Sequence, residues 1–352
     1  GIKKLAFNNG FKDPSFIREH LAYKFAREVG LPASRTAFVD LTVAGEHLGL
    51  YTMVEPVDDD FFLEANFGHD KGDLYKPDWP DGSLKWKGPN YEDYEGLSIE
   101  NNADTSDHGA FLGLLEVLNN GSASEAEKVL NVDAMLLYIA FNSVLVNLDS
   151  YTGNGHNYYL YQDEEKFTVV PWDLNEAFGN FTCGCNREGV LGFRIDEPTC
   201  GNMSGKPMVD ILLQVPEHLN TYHQHLQVLL DGPFSVKVMG PWIQEAADMI
   251  RPYVQDDPTK FFSNEAFEAG LTTHGNGGGG GNALGLEAFV ADRSESIKKQ
   301  LEGTRSSTNN GEGNCGSGNG PGKPGGNNPK CPDGVCDSFE QANPEVCPED
   351  CD

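Results

Sequence analysis

An α+β fold with a helical C-terminal half is predicted by three features of this 352-residue chain. Apolar residues recur at helical spacing near the N-terminus and through most of the second half. Runs rich in β-branched and aromatic residues, bounded by turn residues, occur as two short pairs. The last 50 residues are rich in glycine and cysteine and lack the apolar content for a core of their own.

The first helix is expected between Asp13 and Gly30. Asp13 is a good N-cap, Pro14 suits the first helical position and Gly30 the stop, while Ile17, Leu21 and Phe25 repeat at i+4. Thr36–Val43 and Leu48–Val54 read as a strand pair turning at Gly45 and Glu46. Residues 56–95 read as an ordered excursion with little regular structure. Its aromatics Trp79, Trp86, Tyr91 and Tyr94 either line a cleft or, as is commoner, anchor the segment to the core. Residues 108–146 are helical, with Phe111, Leu114, Leu115 and Leu118 on one face and Ala134–Val146 as a buried helix. Asn157–Tyr161 and Phe167–Val170 form a second strand pair around the polar turn Gln162–Lys166. Helical spacing returns over Val209–Gln255, with a second helix at Phe234–Arg251, and Ala283–Leu301 is the final helix. The glycine run His274–Asn282 reads as a flexible loop. The domain organisation is then a folded body over residues 1–302, a Gly/Asn/Pro-rich linker over 303–330 and a Cys-rich acidic mini-module over 331–352.

Twenty-five Lys and Arg face 54 Asp and Glu, a net charge of −29. The last 50 residues hold 3 basic and 8 acidic side chains, so the body keeps 22 and 46 and carries most of the acidity. Such a surface repels phosphate backbones and anionic membranes, which argues against nucleic-acid binding. It suits basic protein partners, divalent cations and plain solubility. No apolar run approaches the ~20 residues of a membrane span. The chain begins at Gly1 without Met or a signal-like stretch, and reads as a mature or recombinantly expressed protein.

The eight cysteines imply disulfides and an oxidising, secreted or surface setting. Glycosylation acceptor patterns at Asn120, Asn180 and Asn202 agree with this weakly. Cys183 and Cys185 are too close to bridge each other easily, so one of them is expected to pair with Cys200. A zinc site would need a fourth ligand that the sequence does not offer. Cys331, Cys336, Cys347 and Cys351 allow three connectivities for two disulfides. Cys315 is left to pair with the body or to link chains. Asp333, Asp337 and Glu340 in the tail are candidates for Ca²⁺, against a knot held by disulfides alone.

The chemistry concentrates in Asn147–Asn180, NLDSYTGNGHNYYLYQDEEKFTVVPWDLNEAFGN. Asp149 sits in a polar loop after the buried helix. Asn154, His156 and Asn157 follow, and the strand pair ends in Asp173, with Asn175 and Glu176 beside it. A loop acid can take the proton of an attacking hydroxyl, and an Asn with an acid after a hairpin can hold Mg²⁺ on nucleotide phosphates. Protein kinases place these groups in this order. Asn154 lies five residues after Asp149 and Asn157 eight; the spacing found in protein kinases favours Asn154, Asn157 lies at the start of the strand, and both are candidate metal ligands. Acids and amides in glycine-rich loops also cap turns, and that plainer reading is the commoner one.

HNYYLY followed by VVPWDLNEAFG resembles the signature of the spore coat protein H (CotH) family of atypical protein kinases. DPSFIREHLAYKFAREVGLPASR, VAGEHLGLYTMVEPVDDDFF and DLYK resemble the family's opening helix and N-terminal sheet. PMVDILLQVPEHLNTYHQHLQVLLDGPF and GLEAFVADRSESIKKQL resemble its helical half, so the likeness spans roughly residues 1–303. The resemblance implies a divergent, compact protein-kinase-like fold and transfer of the ATP γ-phosphate to Ser or Thr of protein substrates. It makes Asp149 the catalytic acid and Asp173, with Asn157 rather than Asn154, the holder of Mg²⁺ or Mn²⁺. Lys76 in DLYK becomes the phosphate contact, Glu55 its charge partner, and Arg18 a further phosphate contact. Members often carry an acid two residues after the metal Asp, where this chain has Asn175. That departure weakens the metal site unless Glu176 compensates, and it sets a kinase-like surface adhesin without transfer against the active kinase. A calcium-dependent module associated with polysaccharide is the third reading. For the kinase, basic Ser/Thr-containing substrates and metal-dependent nucleotide binding are expected.

Overall fold

The computed structural model describes residues 4–275, 284–307, 311, 313 and 314. The chain divides into two units, Gly1–Ser317 and Gly318–Asp352, and every described residue belongs to the first. In chain order the elements are β1 (Ala6–Asn8), α1 (Arg18–Glu28), β2 (Thr36–Val43), β3 (Glu46–Val54), α2 (Asp60–Phe67), β4 (Leu74–Pro77), β5 (Leu97–Ile99), α3 (Gly109–Asn120), α4 (Ala123–Val129), α5 (Val132–Leu145), β6 (Tyr158–Asp163), β7 (Lys166–Pro171), α6 (Arg187–Leu191), α7 (Pro207–Leu213), α8 (Pro216–Asp231), α9 (Val236–Asp256), α10 (Asn264–Thr272) and α11 (Leu286–Leu301). Two antiparallel sheets, β1-β3-β2 and β5-β4-β6-β7, make the fold α+β as expected.

The opening helix buries Leu21 and Phe25, with Ile17 buried just ahead of it. It starts four residues later than Pro14, because Asp13 caps a turn first. The Asp13 carboxylate accepts from Ser15 N and Oγ, and its second oxygen accepts from Arg18 N at the true helix start. The chain leaves the helix through Gly30, whose φ of +89° a Cβ would strain. The β2–β3 hairpin turns at Ala44 and Gly45, one residue earlier than expected, both in the left-handed region that a two-residue hairpin favours.

The excursion is more regular than its composition suggests. It contains α2 and β4, and β4 joins the second sheet between β5 and β6. Tyr94 is buried, Trp86 and Tyr91 pack against the core, and Tyr91 stacks on His108. Trp79, 82% exposed, anchors nothing. The helix α5 is apolar all round and accordingly lies inside, packed on α8 and β7. Arg293 of α11 is fully buried and donates to the carbonyls of Ser143, Leu191 and Phe193, tying the last helix to the end of α5.

Cys183 pairs with Cys200, closing the segment after β7, and Cys185 is not free either. The stretch read as a linker begins docked. Asn314 donates to the carbonyls of Arg194 and Glu197, and Met203 N donates to Gly311 O. Cys315, Cys331, Cys336, Cys347, Cys351 and the proposed calcium ligands Asp333, Asp337 and Glu340 lie outside the described residues. So does most of the glycine run. Among the described residues no helix is long and apolar enough to cross a membrane.

Candidate active site

The loop between α5 and β6 is shaped by its own backbone. Val146 ends α5 in the left-handed region, and Asn147 Nδ2 donates to Asn142 Oδ1 at 2.9 Å. Asn154 N donates to Leu148 O and Gly155 N to Ser150 O, folding the loop back on itself. At Gly153 a Cβ would fall 1.7 Å from Leu148 O, so only glycine closes this turn.

This fold gathers the polar groups onto Asp149. Asn154 Nδ2 donates to its Oδ1 at 3.0 Å, Asn157 Nδ2 to its Oδ2 at 3.0 Å, and His156 Nε2 lies 2.7 Å from Oδ1. Burial pushes the Asp149 carboxyl up, but the bond and charge of His156, the Asn154 bond and the Lys12 charge outweigh it and hold it below its ordinary value. The same pairing raises the His156 imidazole.

The β6–β7 register brings the second acid to the same end. Tyr158 faces Pro171, and Trp172 N donates to Asn157 O at 3.1 Å, so the residues flanking the hairpin meet. Asp173 follows with φ +50°, a strained conformation for a side chain with a Cβ. Its N–H donates to the hydroxyl of fully buried Tyr23 on α1 at 3.0 Å. Burial and then the charge of Asp149 raise the Asp173 carboxyl, Glu176 adds to this, and His156 and Lys76 oppose it. The two acids therefore share one electrostatic neighbourhood. Glu19, 5% exposed on α1, joins it: burial first and Asp173 second push its carboxyl up to about 8, although Asn8 Nδ2 donates to it.

Among the described residues no three His, Cys, Asp or Glu side chains converge as a metal site. The oxygen-bearing groups here are carboxylates and amides. Asn175 Oδ1, two residues after Asp173, is buried and accepts no hydrogen bond. An orphaned amide oxygen is a donor of the kind that a hard cation takes. The Nδ2 groups of Asn154 and Asn157 are engaged by Asp149.

Lys76 lies over the Tyr159 ring at 5.7 Å and makes no ion pair among the described residues, so it remains available to an anion. Three sequence-based expectations are corrected. Glu55 does not order Lys76, because Arg35 holds both its oxygens. Arg18 cannot reach a phosphate: it is fully buried, paired with Asp13 and bonded to the carbonyls of Phe178 and Leu284. Glu176 cannot stand in for a missing metal acid, since Lys12 and Asn180 occupy its oxygens. A cleft of about 550 Å³ lined by His69, Asp73, Asn102, Ser106 and Glu164 lies at the other end of the hairpin. Six residues of β6, about 20 Å at strand rise, separate that end from Asn157.

His156, Tyr23, Lys12 and Glu19 were not singled out as site residues from the sequence. The signal for His156 was its position between two amides of one loop. The other three come from the first 23 residues, over 120 positions away, and no local pattern connects them to the loop.

The sequence model of the family described as CotH kinase protein matches residues 1–278. Inner spore coat protein H of Bacillus subtilis (strain 168) is 25% identical over 277 residues, covering 76% of this chain and 73% of that protein. Invasin CotH2 and Spore coat protein homolog 1 of Rhizopus delemar are each 23% identical, over 92% and 84% of this chain. The chain's matched part spans 62% and 52% of those two proteins. The family match takes in the loop, the hairpin and both acids, and with most of the body inside it the chain belongs to the CotH family.

Proposed function

We propose that the protein is a divergent, kinase-like phosphotransferase acting at a spore or cell surface, moving the γ-phosphate of ATP to Ser or Thr of protein substrates. One observation carries the reading: the hairpin closes Asn157, which is bonded to Asp149, against Trp172 and Asp173. A candidate base and a candidate metal acid thus stand at one end of one sheet, the arrangement phosphoryl transfer requires. Asp149, kept ionised, receives the proton of the acceptor hydroxyl. The hydroxyl oxygen bonds to the γ-phosphorus as the bond to the β–γ bridging oxygen breaks, and ADP leaves. Asp173 and the Asn175 oxygen would hold Mg²⁺ or Mn²⁺, which when bound supplies the positive charge to offset the phosphates. Lys76 approaches from β4 as a phosphate contact. The surface location rests on what the relatives are called, a spore coat protein and an invasin.

The second reading is a surface binding protein that keeps the kinase-like fold without transfer. Asn175 favours it, because a neutral amide stands where an acid is frequent. Nucleotide binding tests the metal site common to the fold. In calorimetry with ATP, affinity should require Mn²⁺ and fall at least about tenfold in Asp173→Asn, the worth of one charge-assisted contact. Tight binding in EDTA, or an unaffected variant, sinks the assignment of Asp173.

A further inference from the structure

Several basic side chains in this acidic body pair with a carboxylate, as Lys4, Lys12, Arg18, Lys24, Arg35 and Lys87 do. Lys206 does not. It is 8% exposed, and among the described residues it makes no ion pair. Its Nζ donates to Ser83 Oγ at 2.8 Å and lies 5.8 Å over the Tyr151 ring. Its charged neighbour is another cation, Lys85, and burial followed by that like charge pushes the amine down to about 8. Lys85 is exposed, forms no ion pair among the described residues, and donates to Ser204 O. Arg293, also buried without a carboxylate, differs because three carbonyls satisfy its donors. Lys206 has one hydroxyl for three N–H groups. Two adjacent cations, one buried, are costly to keep unpaired where acids outnumber bases two to one.

The position is equally specific. A Cβ on Gly155 would lie 2.8 Å from Lys206 Nζ and 2.7 Å from Ser83 Oγ, so both groups press on the loop that carries Asp149. Neighbouring Asn154 is exposed and bonds the Asp149 carboxylate. We propose that Lys206, Lys85 and the Ser83 hydroxyl form a receptor for a phosphate-class oxyanion on the border of the Asn147–Asn157 loop. The anion supplies the missing negative charge and accepts from the spare amine donors. Its source is an acceptor protein bearing a phosphorylated residue, or the nucleotide. Net acidity alone would have dismissed the first of these. The site does not depend on phosphoryl transfer and is testable without it.

The test is calorimetric titration of the full chain with inorganic phosphate at low ionic strength, without ATP or metal. Saturable binding is expected, about tenfold weaker in Lys206→Met and in Lys85→Met. Lys85 is exposed, so its variant keeps the fold if Lys206→Met does not. Displacement by a phosphoserine peptide assigns the site to the acceptor, and displacement by ATP assigns it to the nucleotide. Thermal unfolding supplies a second readout. A methionine in place of a buried amine without an ion pair should hold or raise the midpoint, with phosphate stabilising wild type more than the variant. Absent phosphate binding, or equal binding in wild type and Lys85→Met, overturns the proposal. Phosphate binding by a protein that shows no phosphotransfer leaves it standing while the proposed function falls.

Discussion

The His156–Asp149 pair sets the pH behaviour of the proposed base. Below its raised pKa the imidazolium holds the Asp149 carboxylate and lowers its basicity. The pair stabilises the fold fully below the ordinary histidine value of 6.5, and that contribution is lost as pH rises through the folded value. Transfer should instead rise over the same window, with an apparent pKa above 6.5, and His156→Gln should flatten that limb. Rate profiles from pH 5.5 to 9 check this, and an unchanged limb in the variant refutes it. That Asp149, Asn157 and Asp173 belong to one polar segment was legible in the sequence, and the roles proposed for them came from the family resemblance; the structure adds that Asn157 bonds Asp149 and meets Trp172 beside Asp173. The hydroxyl of Tyr23 on the Asp173 N–H was not legible, since it depends on α1 packing against the turn after β7. Arg18 was misread for the same reason: a helix residue shows its burial only when its neighbours are known.

At the scale of elements, the two hairpins and the long helices were readable from alternation and helical spacing. The three-residue strands β1 and β5 were not, because such short pieces carry no period of their own and are defined by their partners. The helix α1 makes a stability prediction through Glu19. Its folded carboxyl titrates near 8 against an ordinary 4.5, so the folded state keeps a proton that the unfolded chain releases between those values. Stability of the metal-free protein must therefore fall as pH rises through that window, by roughly 3–5 kcal/mol in all. Glu19→Gln keeps an acceptor for Asn8 and should remove most of this slope in urea unfolding at pH 5 and pH 8. An equal slope in the variant would place the pH sensitivity elsewhere. The Cys183–Cys200 bridge spans 17 residues after Asp173. Replacing both cysteines with serine should cost about 3 kcal/mol under oxidising conditions, and reductant should erase the difference.

For the molecule as a whole, part of the −29 charge has a location. Acids gather at the α1–hairpin junction, where Asp149 and Glu176 raise the Asp173 carboxyl and Asp173 in turn raises Glu19. The expectation of basic substrates stands beside two cations, Lys206 and Lys85, that face each other near the loop. Composition showed the acidity, but it could not show where two lysines escape it. The central claim is that Asp149 and Asp173 form one phosphotransfer centre. Its most direct test is transfer of label from γ-³²P ATP to Ser/Thr-containing acceptors in Mn²⁺, comparing wild type with Asp149→Ala. Labelled Ser or Thr in wild type and a loss of at least about a hundredfold in the variant are expected. No label above background in wild type, or equal label in both proteins, contradicts it.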